Sequence, residues 1–516
     1  MGQDSGLDVL LINPGGRDII YQELGTELTA VEPPLWCGLI ATYVRNRNYS
    51  VRILDAEAEG LGPETTAARV NLIRPRLIGM IVFGHQPSAS TQMMAIAREC
   101  CREIKALNPD QQIIIVGGHV SALPERTLQE ESVDYACIGE GPITIANLLA
   151  VLKAGQSNWH DIPGLVYRGT NGEIICNPRA PNITDLDKEL PRSAWDLLPM
   201  EKYRAHNWQC FGDLSKRKPY ASIYTSLGCP YKCTFCCINA PFGTNGYRMR
   251  NPKMVVDEME FLYRSHGVKT FKIIDEMFVL NYRHVSGICN DLIARGFAHE
   301  LNIWAYARVD TVKPEMLDML RKAGIRWLAL GIESGSKHVR DGALKALKSD
   351  DIINIVRAIQ RADINVIGNY IFGLPDDDLH TMQETLDLAL ELNCEFSNFY
   401  SAMAYPGSPL YTLAVQKGWD LPENWSGYSQ HSFDCKPLPT EKVGAADVLE
   451  FRDKAFHAFF SSPRYLNMVA ERFGAETLEH IKSMSTHKLR RKLLTNGENS
   501  FGLNSASGEW FANRRG

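Results

Sequence analysis

Cys229, Cys233 and Cys236 stand in the segment Gly228-Cys229-Pro230-Tyr231-Lys232-Cys233-Thr234-Phe235-Cys236, a C-x3-C-x2-C pattern. Three thiolates on one loop can hold three irons of a [4Fe-4S] cube and leave the fourth iron open to a ligand. Zinc is the rival reading. A structural zinc takes four ligands, usually as two spaced pairs, and no second C-x2-C or H-x3–5-H pair accompanies this triplet. Cys237 adjoins Cys236 and would point elsewhere, so it is a poor fourth ligand. The remaining cysteines are scattered and read as core thiols of a reducing compartment.

The elements that must position the triplet follow from the apolar pattern. The chain has 516 residues, enough for two or three domains. Its first third alternates apolar strands with helices. Strands are expected at residues 8–13, 51–55, 78–83, 113–116 and 134–138, with helices over 35–46 and 92–107 among those between them. Strands apolar on both faces imply a parallel sheet, so this part is predicted to be an α/β, doubly wound, flavodoxin-like domain. Ligands of such sheets sit beyond the strand carboxyl ends. Those ends carry Pro14, Gly15, Gly16, Asp55, Ser88, Gly117, Gly118 and Gly139. Turn glycines are the bland alternative for several of them.

The alternation breaks between about residues 155 and 220. Asn171-Gly172 between two short apolar runs signals a hairpin, and Pro178, Pro181, Pro191 and Pro199 mark an irregular connector. From Ser222 onward it resumes, with strand ends near Leu227, Asp275, Arg308, Glu333, Phe372 and Ala404. Six βα units predict an incomplete (β/α)6 parallel barrel whose chemistry sits at the strand carboxyl ends. The cysteine loop follows its first strand. The expected division is residues 1–155, a connector at 156–220, the barrel at 221–415, a helical region at 416–495 and a flexible tail at 496–516.

At this point the sequence resembles the radical S-adenosylmethionine (SAM) enzymes, whose signature is C-x3-C-x-aromatic-C after the first barrel strand, with Phe235 as the aromatic. Residues 273–278, 304–310, 331–336, 368–375 and 406–411 are similar to the motifs of that family's later strands. The first domain resembles the cobalamin-binding module of the cobalamin-dependent subfamily, through Gly117-Gly118-His119 and Gly139-Glu140-Gly141. The chain lacks the D-x-H-x-x-G segment that supplies a cobalt-ligating histidine elsewhere. The resemblance therefore implies cobalamin held without a protein histidine on cobalt, with His85 and His119 as other possible contacts.

The implied cofactors are a [4Fe-4S] cluster on Cys229, Cys233 and Cys236, SAM, and cobalamin. The resemblance implies a 5′-deoxyadenosyl radical that abstracts hydrogen, and methylcobalamin that delivers a methyl group. A second SAM would restore the methyl. Within that frame Glu276 is a candidate acceptor for the SAM amino group. Glu333 is one for the amino group or the ribose hydroxyls. Arg308 could pair with the SAM carboxylate, and Phe235 and Tyr370 would flank the adenine. A mutual ion pair of Glu276, Arg308 and Glu333 is the structural alternative. Tyr306 and Tyr405 are candidates for substrate contact or for ordinary packing. Pro14, Gly15, Asp55, Ser88, Gly117, Gly118, His119, Gly139 and Glu140 are the expected cobalamin contacts.

The leading expectation is a methyltransferase acting on an unactivated carbon, or phosphorus, of a small metabolite. Ring formation or rearrangement with the same cofactors is the alternative. A non-catalytic cobalamin carrier has no need of an open iron. A tRNA methylthiotransferase usually carries extra cluster cysteines and a basic extension, and neither is present. A flavodoxin or ferredoxin is the expected electron donor. The formal charge of −5 gives no basic field for nucleic acid, and the basic run 488–492 reads as a solvated helix face. No stretch approaches the roughly 20 apolar residues of a membrane span. With no signal-peptide pattern, a cytoplasmic location is expected.

Overall fold

The computed structural model describes residues 6–22, 29–345 and 347–495. The tail at 496–516 lies outside the described residues. Five strands, β1 (Val9–Asn13), β2 (Val51–Asp55), β3 (Leu77–Ile81), β4 (Ile113–Val116) and β5 (Tyr135–Cys137), pair in parallel in the order 2-1-3-4-5. This is the doubly wound order in which the ligand crevice opens between β1 and β3. Every residue of β1, β3 and β4 is buried, as strands covered on both faces require. The Asn171-Gly172 hairpin forms as read. Its strands β6 (Leu165–Arg168) and β7 (Ile174–Cys176) add antiparallel to β5, so the sheet runs on into the segment read as connector.

The second sheet contains β8 (Tyr220–Ile223), β11 (Thr270–Ile273), β12 (Asn302–Arg308), β13 (Ile325–Glu333), β14 (Asn365–Phe372) and β15 (Phe396–Ser401). All are parallel in the order 8-11-12-13-14-15, an open partial barrel with β8 and β15 as its edges. The expected single strand over 222–227 is divided. β8 stops at Ile223, and Ser226–Leu227 (β9) pairs antiparallel with Arg248–Met249 (β10).

The connector closes the amino-terminal end of the barrel. Trp208 packs against Trp304, Trp327 and Phe396 with ring centroids 5.1, 5.4 and 5.9 Å away. The Gln209 side chain donates to the carbonyls of Phe271 and Asn302. The edge strand β15 is covered by the helix Ala445–Phe460, against which the helix Pro463–Thr486 packs. Arg452 Nε donates to the Phe399 carbonyl at 2.8 Å, satisfying an acceptor that an open edge would leave exposed. No helix among the described residues is long and apolar enough to cross a membrane.

Candidate active site

The cysteine loop leaves the sheet because Asp275, just beyond β11, pulls on it. The Asp275 carboxylate accepts from the Thr225 amide (2.6 Å), the Thr225 hydroxyl and the Ser226 hydroxyl (2.6 Å). His284 Nε2 lies 2.9 Å from the same Thr225 hydroxyl. Gly228 follows with φ +85°, and a Cβ there would meet the Gly246 carbonyl oxygen at 2.4 Å. Only glycine fits this turn. Cys229, Cys233 and Cys236 then line one cavity of about 290 Å³, and all three are free thiols.

The residues fit a cluster. The three thiols share one cavity wall. Burial pushes the Cys229 thiol up to about 11, so its thiolate form needs the positive charge of bound iron. Phe235 lines the same cavity.

Glu276, Arg308 and Glu333 all line this cavity, but not as a mutual ion pair. Arg308 grips Asp310 with two nitrogens at 2.9 and 3.1 Å, lies 4.0 Å over the Tyr231 ring, and reaches Cys233 Sγ at 3.7 Å. Glu333 pairs with the buried Lys345. Its own φ is +68°, a strained conformation for a residue with a Cβ. Among the described residues Glu276 has no cationic partner within ion-pair distance. Burial raises its carboxyl to about 8, Lys272 opposing the shift and Asp275 adding to it. Tyr370 lies elsewhere. Side chains alternate along β14, so Asn369 and Ile371 face the cavity while Tyr370 stacks on Phe399 at 5.4 Å in the core behind it. Tyr306, Tyr405 and Cys237 line the cavity as well.

A second cavity of about 1060 Å³ lies between the two sheets. It is walled by Asn13 and Pro14 at the end of β1, by Ile81 at the end of β3 and by Phe83 and His85 beyond it, which is the crevice that the strand order marks. Its size reaches the top of the usual range for ligand cavities, about 300–1,000 Å³, as a large tetrapyrrole-type cofactor requires. Facing this crevice is a buried polar cluster that the sequence reading missed. Lys272 projects from β11 into the barrel, 3.1 Å from Glu32 and 4.8 Å from the Trp304 ring centre. The Tyr220 hydroxyl donates to Glu32 at 2.7 Å, and His85 Nδ1 is 3.7 Å away. Burial alone would raise the Glu32 carboxyl, but His85, Lys272, His206 and the Tyr220 bond outweigh it and hold it below the carboxylate range.

The sequence-read cobalamin contacts divide. Pro14 and His85 line the large cavity, and Ser88 lines the cysteine cavity. Gly15, Asp55, Gly117, Gly118, His119, Gly139 and Glu140 line neither. Asp55 accepts from Asn13 Nδ2 and the Tyr203 hydroxyl, both at 2.8 Å, and caps the next helix through the Ala58 amide. Glu140 accepts from the Ile183 amide and Arg248, fastening the first sheet to the connector and β10. His119 is buried against Thr91 and, edge-on, Trp425. A Cβ on Gly15 or Gly117 would strike backbone within 2.6 Å, so close packing accounts for both glycines.

The two cavities share Gln86, Trp208, Trp304, Tyr306, Asn398 and Tyr400 in their walls. A molecule at that junction would touch both.

Residues 23–149 match the B12 binding domain family, and residues 223–389 match the radical SAM superfamily. The chain is a cobalamin-dependent radical SAM enzyme. Its cofactors are a [4Fe-4S] cluster, SAM and cobalamin. It is 27% identical to an uncharacterized methyltransferase of Pyrococcus horikoshii over 89% of this chain and 94% of that protein. It is also 27% identical to an anaerobic magnesium-protoporphyrin IX monomethyl ester cyclase of Rubrivivax gelatinosus, over 89% of this chain and 78% of the cyclase. Its fold is that of the radical SAM methyltransferase TsrM from Kitasatospora setae, solved with cobalamin and a [4Fe-4S] cluster. The TM-score is 0.66 at 19% identity, covering 89% of this chain and 90% of that one.

Proposed function

We propose that this cobalamin-dependent radical SAM enzyme methylates an unactivated carbon, or phosphorus, of a small metabolite held at the junction of the two cavities. The observation that carries the reading is the shared wall. Trp304, Tyr306, Asn398 and Tyr400 face both the thiol-lined cavity and the interdomain crevice. When bound, the cluster and SAM supply a hydrogen-abstracting radical, and cobalamin supplies the methyl group.

The chain's own residues place and shield these groups. Cys229, Cys233 and Cys236 hold the cluster. Glu276, with no cationic partner among the described residues, receives the SAM amino group. Glu333 and Lys345 hold the polar remainder of SAM as a preformed pair. Arg308 is already committed to Asp310 and steadies the loop at Cys233 rather than clamping SAM. Pro14 and His85 line the cobalamin crevice. Trp208 closes the barrel floor and keeps water from the junction. A flavodoxin or ferredoxin serves as electron donor.

Ring formation without methyl transfer is the second reading, supported by similarity to a cyclase across most of both chains. Nucleoside products separate the two. The holoenzyme, incubated anaerobically with SAM, a reductant and candidate substrates, is expected to yield both 5′-deoxyadenosine and S-adenosylhomocysteine. Product formation with 5′-deoxyadenosine alone would refute methyl transfer and favour ring chemistry.

A further inference from the structure

The interdomain cavity does not end at the junction. It continues along β15 to the surface between the helix Ala445–Phe460 and the segment at the end of the helix Pro463–Thr486. Buried Lys272, Trp304 and Phe399 line its inner part, whereas exposed Lys454, Ser461, His487 and Lys488 line its outer end. Charge is balanced along this passage until the mouth. Each carboxylate lining it faces a lining cation: Glu57 with Arg17, Glu32 with Lys272, Asp453 with Arg452, and Glu450 with Lys454. Asp453 is further claimed by the buried Arg491, at 2.9 Å. Lys488 remains, with no carboxylate partner among the described residues, and His457 and His487 stand beside it in the same wall. The basic run at 488–492 is thus not simply a solvated helix face. Arg491 is an internal staple, and Lys488 faces the cavity mouth.

We infer that this mouth admits the substrate, and that the substrate is a small metabolite carrying an anionic group, received at Lys488 just beyond the helix Pro463–Thr486. A surplus cation at a cavity mouth concentrates anions and repels cations. A unit charge about 6 Å away in water changes the local concentration of a monovalent ion by about threefold. An anionic and a cationic probe of the same size are then separated by about tenfold.

The inference rests on the reading that the reaction occurs at the junction, but its test needs no turnover, so the two can fail separately. Ser461→Cys places a thiol in the mouth, and Asn398→Cys places one at the junction, where the side chain is only partly buried. The holoenzyme variants are treated with anionic (sulfonatoethyl) and cationic (trimethylammonioethyl) methanethiosulfonates at low salt. Modification is followed by peptide mass spectrometry, and each rate is divided by that of the same reagent with 2-mercaptoethanol, an uncharged thiol. The anionic reagent is expected to react about tenfold faster than the cationic one at Ser461→Cys on that scale. Added Lys488→Glu should invert that ratio and slow anionic labelling at Asn398→Cys. A ratio of one, or one unmoved by Lys488→Glu, would overturn the anionic assignment. Labelling at Ser461→Cys with none at Asn398→Cys would overturn the route.

Discussion

Asp275→Asn isolates what holds the cysteine loop in place. Oδ2 of Asp275 accepts two hydroxyl groups and Oδ1 accepts the Thr225 amide, all at 2.5–2.6 Å. An asparagine keeps the shape and one acceptor oxygen. It turns three charge-assisted bonds into neutral ones and sets an amide NH2 against two hydroxyls, one of which His284 already engages. Bonds to charged groups contribute about 1.5–3 kcal/mol and neutral ones about 0.5–1.5, so each conversion costs about 1 kcal/mol and the variant about 3. That is a large share of a typical stability of about 5–15 kcal/mol. It falls two residues before the turn that delivers Cys229. Urea unfolding followed by iron and sulfide analysis of the reconstituted protein reads both consequences. The expected result is a lower midpoint together with substoichiometric iron. An unchanged midpoint with a full complement of iron would refute the idea that Asp275 positions the loop.

Cys229→Ala should abolish 5′-deoxyadenosine formation while cobalamin binding, followed by absorbance, stays intact; retained nucleoside production would contradict the cluster assignment. Asp55→Ala strands two buried donors and one half-buried donor and should cost about 3 kcal/mol in urea unfolding, with cobalamin affinity of the folded protein unchanged. A lost affinity at unchanged stability would make Asp55 a ligand instead. Burial depresses His85 to about 4 and His119, His206 and His431 to about 3. The unfolded chain protonates these groups near 6.5 while the fold resists, so their contribution is present above pH 6.5 and lost as pH falls. The slope is about 1.4 kcal/mol per unit for each histidine until its folded value is reached. Stability of the cofactor-free protein should therefore drop steeply between pH 6.5 and 5, with proton uptake on unfolding. A flat profile by calorimetry would show that these imidazoles are solvated.

Much of the fold was legible because the second sheet and the first five strands of the first sheet are parallel, and most of their strands are continuous apolar runs. The errors have identifiable causes. Ser222 to Leu227 looks like one strand, but Asp275 draws Thr225 and Ser226 away from the sheet, a contact 50 residues distant in sequence. Tyr370 belongs to a strand at the site, yet the two-residue period turns it outward and Asn369 inward. Asp55, Glu140, Gly15 and Gly117 occur where a ligand would sit; Tyr203 and Arg248 engage the two carboxylates and close backbone packing surrounds the two glycines, partners that no local pattern identifies. The plug formed by Trp208 was illegible for the same reason. Lys272 did leave a signal. It is a lone cation within the apolar strand Thr270–Ile273, just ahead of Asp275-Glu276. A buried lysine in such a place demands a carboxylate, and Glu32 supplies it from 240 residues away.

In the proposed arrangement two cofactor sites in two domains open onto one junction. Anaerobic crystals of the protein reconstituted with cobalamin and cluster, measured at the iron and cobalt absorption edges, locate both metals. An iron peak is expected at Cys229, Cys233 and Cys236 and a cobalt peak in the crevice beside Pro14 and His85, with Tyr306 and Tyr400 between them. A cobalt peak outside that crevice, or one screened from the iron by folded chain, would contradict it.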